Sequence, residues 1–376
     1  MGRDAMIDPQ SHEGAIPPGP EPEPVPGARL GRRSTGWLVL VFAAILTGAL
    51  TSLIHVPYAI LSPGPITNTL GSGPAGKPLI TVEGKTTYPT TGALNFTTVE
   101  VFGGPRNPAN GWDWVIGKLD KSSTVVPEEA VFPKGVTSKQ VEEENAAEMT
   151  GSQQEAIVVA LRALGQKVPE VITISGLTTD SPAKGVLLAG DVVVSVDGRA
   201  VTSSDALRAA VRARKPGESA AFTVRRGGAE KVLRVKTAAV EGQTVVGVFL
   251  RTTFDLPTKV SIDAGDVGGP SAGMMFSLAI YDKLTPGALT GGAQIAGTGT
   301  ISSAGAVGPI GGIQQKLTGA QRGGATWFLA PAANCDEVVG HIPEGLQVVK
   351  VATFTQARDA VEAIGTKRTA ALPTCG

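Results

Sequence analysis

The chain has 376 residues, which excludes a single small binding module and leaves room for two or three modest domains with their own cores. Lys plus Arg and Asp plus Glu each total 33, so no basic surplus exists to neutralise phosphates; with aromatics at only 5%, these facts argue against a nucleic-acid partner. His12, His55 and His341 lie in unrelated contexts and no glycine-rich stretch ends in the Gly-Lys-Ser/Thr of a phosphate loop, so neither a metal centre, an ATPase nor any cofactor is expected.

Residues 1–36 are rich in Pro, Glu, Gly and Ser and lack apolar periodicity, which predicts a disordered tail. The run WLVLVFAAILTGALTSLI from Trp37 to Ile54 carries no charge, and weakly apolar character continues to Leu61, predicting a membrane anchor over 37–61. A buried core helix or a cleaved signal peptide competes with that reading; against the signal peptide, a long tail precedes the run and no Ala-x-Ala follows it. Arg29, Arg32 and Arg33 come before the span, and the first basic residue after it is Lys77. The positive-inside rule therefore leaves the N-terminus in the cytoplasm and the rest of a single-pass protein outside. In that oxidising compartment Cys335 and Cys375 are able to pair and pin the C-terminal tail, residues 367–376; a buried thiol plus a frayed tail cysteine is the equal alternative.

Pro63, Pro65 and the Gly/Pro cluster at 71–77 predict a spacer, so that the soluble part starts near Pro74. Strands are predicted over 79–82 and 93–101 and a helix over 146–164. From Val171 to Val240 a compact module follows: strand VITIS, a second strand closed by the Asp197-Gly198 hairpin turn, a helix capped by Ser203 and Ser204 and running to Ala213, and two further strands. The strings Ser181-Pro182-Ala183, Gly190-Asp191 and Val196-Asp197-Gly198 resemble a bacterial PDZ domain. That resemblance implies a groove between the Ser203–Ala213 helix and the strand at Val171–Ile174, with a carboxylate-binding loop near Gly165–Glu170, where no glycine-aromatic-glycine signature stands. A PDZ fold used only as a spacer or regulator is the other reading.

Two features carry chemistry. Gly268-Gly269-Pro270-Ser271-Ala272-Gly273 leads into the apolar run MMFSLAIY, which predicts a buried helix with Ser271 at its start, where unpaired N–H groups and the positive dipole end converge. By itself this fits a simple capping serine as well. Further on, IQQKLTGAQRGG predicts a helix whose apolar stripe of Ile313, Leu317 and Ala320 also holds Lys316. A lysine facing a core has its charged form disfavoured, and a neutral amine beside a serine hydroxyl makes a Ser-Lys dyad that needs no histidine.

Together GGPSAG, the GTGTI stretch holding Thr298, and VGPIGGIQQK resemble the proteolytic domain of Lon-type serine peptidases. The resemblance implies Ser271 as nucleophile, Lys316 as general base and later acid, and Thr298 as the hydroxyl that orients the lysine, an ordinary β-branched strand residue being the other reading of Thr298; the backbone N–H groups of Gly268 and Ser271 can act as oxyanion donors, a role that needs no side chain. Lon enzymes often carry an acid three residues before the nucleophile; here Gly268 stands there and the nearest acids are Asp266 and Asp263. GALNFTTVEV and MTGSQQEAIVVALRALG also look like the opening of a Lon peptidase domain. The implied architecture is α+β: a peptidase domain in two parts, 75–165 and 243–366, split by a PDZ domain over 166–242 and preceded by one transmembrane helix.

The expected function is ATP-independent endopeptidase action on unfolded or peptide-like extracytoplasmic polypeptides, with a homo-oligomer left open. A non-catalytic PDZ scaffold on a Lon-like fold is the alternative. A signal-peptidase-like enzyme wants its nucleophile near the bilayer, whereas Ser271 lies far along the chain from Ile54.

Overall fold

The computed structural model describes residues 32–73 and 76–376. The tail expected over 1–36 lies outside the described residues as far as residue 31, and residues 32–36 open helix α1 (Arg32–Leu53). Its segment Gly36–Leu53 has a mean hydropathy of 2.0, and 18 residues at about 1.5 Å each are just enough to cross a hydrocarbon core. Thr47 and Thr51 return their hydroxyls to carbonyls one turn back, which hides polar groups that lipid would not solvate.

Residues Ile54–Gly376 form a second compact unit. Here the expectation of an anchor to Leu61 and a spacer beyond it is corrected. Residues Tyr58–Asn68 are strand β1 of a six-stranded sheet, held between β3 (Ala93–Phe102) and β4 (Thr124–Pro127). The register with β3 shifts between Pro63 and Ile66, and this irregularity absorbs Pro63, Gly64 and Pro65 without breaking the strand. Strand β2 (Ile80–Glu83) comes between β1 and β3 in the chain, and helix α2 (Gly111–Leu119) between β3 and β4. Helix α3 (Ser138–Ala163) begins two turns before the apolar pattern does, at a capping box formed by Thr137 and Gln140.

The chain then builds a separate sheet from β5 (Glu170–Leu177), β6 (Val192–Val196), β7 (Arg199–Ala200), helix α4 (Ser204–Arg212), β8 (Ser219–Arg226) and β9 (Ala229–Lys236). Asp197 and Gly198 both take positive φ in the β6–β7 hairpin, and Ser203 accepts the Ala206 N–H at 3.0 Å to cap α4. Short strands β10 (Ala238–Val240) and β11 (Gln243–Val245) pair with each other. Strand β12 (Val248–Phe254) falls inside the second peptidase part expected over 243–366, and that bound is corrected: it pairs antiparallel with β5 and forms the edge of this sheet.

Strand β13 (Lys259–Ile262), which pairs with β2, leads to helix α5 (Gly273–Leu284), strands β14 (Gln294–Gly297), β15 (Thr300–Ile301) and β16 (Val307–Gly308), helix α6 (Ile313–Arg322), strand β17 (Trp327–Pro331), helix α7 (Cys335–Val338), strand β18 (Gln347–Val351) and helix α8 (Phe354–Gly365). The large sheet runs β18-β17-β14-β3-β1-β4, parallel across its first four strands and antiparallel at β1 and β4.

Alternation along the strands divides the core in two. Leu94, Phe96, Ile295 and Leu329 join α3, α5 and α8 on one face, while Ala296, Phe328 and Ala330 join α6 and α7 on the other. Phe96 meets Phe276 of α5 edge-on at 5.5 Å. The C-terminal tail is not loose: Cys375 is bonded to Cys335 and buried in the second cluster.

Candidate active site

Two helices from opposite faces of the large sheet meet past the end of β14. Helix α6 reaches the sheet closely because small residues face it. A Cβ on Gly319 would stand 2.7 Å from the Gly64 carbonyl oxygen, and one on Gly323 would overlap the Ile66 side chain. Gly312 begins the helix at φ +69°, against Val99 of β3. Gln315, also buried, donates to the Thr124 hydroxyl at 2.8 Å and ties α6 to β4. Lys316 is thereby driven inward to 4% exposure.

On the other face, the loop before α5 is held by α3. Gly269 N–H donates to the Asn145 carbonyl at 2.9 Å, and the Ser152 hydroxyl donates to the Pro270 carbonyl at 2.8 Å. Any side chain at Gly268 would press on Asn145, since a Cβ there lies 2.8 Å from the Asn145 Cβ. The Ser271 carbonyl accepts from Gly299 N–H at 2.8 Å and from the Thr298 hydroxyl at 3.1 Å.

The lysine nitrogen and serine oxygen come to 2.8 Å. Lys316 Nζ also lies 3.1 Å from Thr298 Oγ1 and 3.3 Å from the Thr97 carbonyl oxygen. The ammonium can donate to all three; once it is deprotonated, two N–H groups remain for Thr298 Oγ1 and Thr97 O and the lone pair is left for the Ser271 hydroxyl proton. Thr298 is consistent on its own account, accepting from the lysine and donating to the Ser271 carbonyl. Burial alone pushes the Lys316 pKa down to about 8.

The structure thus brings Ser271, Lys316 and Thr298 together, with Gly268 in the same loop. Asp266 is exposed, and Asp263 accepts from the Gly265 N–H. The Thr97 carbonyl, Asn145 and Ser152 were not anticipated. A backbone acceptor has no sequence signal, and Asn145 and Ser152 sit on a helix whose polar residues look like ordinary surface.

A family model of the Lon protease (S16) C-terminal proteolytic domain matches residues 252–364, and a PDZ domain model matches residues 138–237. The chain carries a Lon-type serine-peptidase domain and a PDZ domain. It is 37% identical over 99 residues to a Lon protease of Clostridium beijerinckii, covering 25% of this chain and 12% of that protein. It is 27% identical over 198 residues to Lon protease 2 of Bacillus subtilis, covering 51% and 33%. A solved PDZ domain of an SdrC-like protein from Listeria monocytogenes is 26% identical, covers 21% of this chain and 85% of that chain, and superposes with a TM-score of 0.20. The chain spans 12% to 33% of the length of the two curated relatives.

The two matches interlock. The PDZ match begins in α3, whose Met149 and Ala156–Leu161 pack in the core shared with α5 of the Lon-type domain. The Lon match begins at Thr252, inside β12 of the PDZ sheet. That strand also moves the groove. Strand β5, expected to line it, is flanked by β12 on one side and β6 on the other and offers no free edge. The cleft, of about 780 Å³, instead lies between Leu207 and Val211 of α4 and the segment Val246–Leu250, where Gly247 turns at φ +68°. A loop does stand at 165–169, between α3 and β5, but none of its residues lines that cleft.

Proposed function

We propose that this protein is an ATP-independent serine endopeptidase, held by α1 in a bacterial cytoplasmic membrane with its catalytic unit outside, that cuts unfolded or peptide-like polypeptides. The observation that carries the reading is the 2.8 Å approach of Lys316 Nζ to Ser271 Oγ in a site that shields the amine from water. Lys316 takes the Ser271 hydroxyl proton as Oγ attacks the scissile carbonyl carbon. The oxyanion is met by the N–H groups of Gly268 and Ser271, beside the dipole of α5. The ammonium then returns its proton to the leaving amine as the C–N bond breaks, leaving an acyl-serine. Water attacks that ester, with Lys316 again the base. Thr298 and the Thr97 carbonyl keep the lone pair aimed at Ser271.

Membrane attachment is supported by the apolar α1, and the outward orientation by Arg29, Arg32 and Arg33 ahead of its apolar segment Gly36–Leu53 and by the Cys335–Cys375 disulfide. Substrate capture is supported by the open edge of β12, where an extended chain can add as a strand facing α4.

Purified full-length protein in detergent, incubated with an unfolded polypeptide with and without ATP, tests the reading. Cleavage independent of ATP is expected, with Ser271→Ala and Lys316→Ala each losing about a thousandfold or more in rate. Cleavage that survives both substitutions, or none by the wild type, overturns it; the latter result favours a PDZ scaffold.

A further inference from the structure

Helix α2 is apolar on two faces. One is packed: Gly117 lies against Val125 and Ile60, and the Trp114 ring sits 6.3 Å from the Tyr58 ring. The other stands in the open. Trp112, Ile116 and Leu119, at i, i+4 and i+7, are 49%, 60% and 77% exposed. Only Asp113 and Lys118 carry charge in this helix, and the Asp113 carboxylate is committed to the capping box with Asn110. A helix apolar all round belongs in a core or in a membrane.

A second observation says which. Gly111 N–H donates to the Ile54 carbonyl at 3.0 Å, Val56 N–H donates to the Ala109 carbonyl at 2.9 Å, and His55 pairs with Asn110. Ile54 is the residue that follows α1 in the chain. The first residue of α2 is therefore within hydrogen-bond reach of the point where the chain leaves the span. Ile54 is itself exposed, as is Phe102, whose neighbour Gly103 packs on Ala109.

From this placement we propose that the Trp112–Ile116–Leu119 face of α2 lies in the headgroup region of the bilayer that holds α1, as an interfacial foot that sets the height of the catalytic unit. The proposal rests on the anchored reading above. Tryptophan favours that depth because its ring is apolar and its N–H can reach water, and Lys118 and Lys121 are placed to extend their ammonium groups to lipid phosphates.

The chain has four tryptophans, at 37, 112, 114 and 327, so single-Trp versions built by Trp→Phe exchange report on each segment. The full chain is reconstituted in phosphatidylcholine–phosphatidylglycerol vesicles whose acyl chains are brominated close to the headgroup, and fluorescence is compared with unbrominated vesicles. Trp112 is expected to be quenched at least about twofold, and Trp327 to be unaffected. Adding Ile116→Glu and Leu119→Glu to the Trp112-only chain should abolish that quenching while Trp37 in its own background stays quenched. Quenching of Trp37 but not of Trp112 overturns the foot and leaves the anchor standing. Quenching of neither overturns both. A concentration-dependent blue shift of Trp112 in detergent with no lipid quenching assigns the face to a second copy and also overturns the proposal.

Discussion

At Lys316 stability and the proposed role as base pull in opposite directions. Burial lowers its pKa from 10.5 to about 8, so the unfolded chain holds the lysine proton more tightly than the folded one. The resulting destabilisation, about 3 kcal/mol, is complete below pH 8 and fades as the pH climbs toward the unfolded value. Lys316→Met removes it but also removes the amine's hydrogen bonds to Ser271, Thr298 and Thr97, each worth about 1 kcal/mol. The variant is expected to match wild type to within about 1 kcal/mol at pH 7, and to fall behind it by about 2 kcal/mol near pH 10. Urea unfolding at the two pH values checks this; a stability difference that does not change with pH contradicts a lysine held against its charge. In the proposed mechanism the same pKa sets the rate. Since only the neutral amine accepts the Ser271 proton, kcat/KM should rise about tenfold per pH unit below 8 and level off above it. A rate that is flat from pH 6 to 9 removes Lys316 as the base. The positions of Ser271 and Lys316 were legible in the sequence, because a helix-start serine and a lysine on an apolar stripe are local patterns. The Thr97 carbonyl was not, because which backbone oxygen faces the amine depends on how β3 lies against α6.

At the level of elements, the site depends on how near α6 can come to β1. Gly319 has no room for a side chain against the Gly64 carbonyl, and that oxygen belongs to backbone and cannot swing away. Gly319→Ala should push the helix outward, lowering stability by about 1–3 kcal/mol and kcat by about a hundredfold as Lys316 withdraws from Ser271. Gly151→Ala is the matched control: it lies inside α3 with nothing near its Cβ, and should stabilise the protein by about 0.5–1 kcal/mol with activity unchanged. Equal effects of the two substitutions would show that the α6–β1 approach does not matter. Helices α5 and α6 and the β6–β7 hairpin were readable because an apolar run, an apolar stripe and an Asp-Gly turn are written in neighbouring residues; neither helix is capped by a side chain, and Ser271 stands just ahead of the α5 N-cap, Ala272. The first two turns of α3 hid behind a polar run, with only Thr137 and Gln140 to announce them. Strand β1 hid behind Pro63 and Pro65, which signal a linker unless a bulge admits them.

For the whole molecule, the consequence is that the peptidase unit starts earlier than its sequence pattern suggests. Strand β1 sits between β3 and β4, is paired to both, and receives α6 through Gly64 and Ile66. A fragment cut at Pro74, where the apparent spacer ends, loses that strand from inside the sheet, along with the surface against which Lys316 is positioned. A fragment beginning at Ile54 keeps the entire compact unit and sheds only α1 and what precedes it. The Ile54 fragment is expected to show a native near-ultraviolet circular dichroism spectrum, one cooperative urea transition and ATP-independent cleavage. The Pro74 fragment should show none of these, because β3 and β4 then expose unpaired edges and the buried side chains Ala59 and Ile60 are gone. If instead the shorter fragment folds and cuts as well as the longer one, β1 is dispensable, and the placement of Lys316 must rest on β3 and β4 alone.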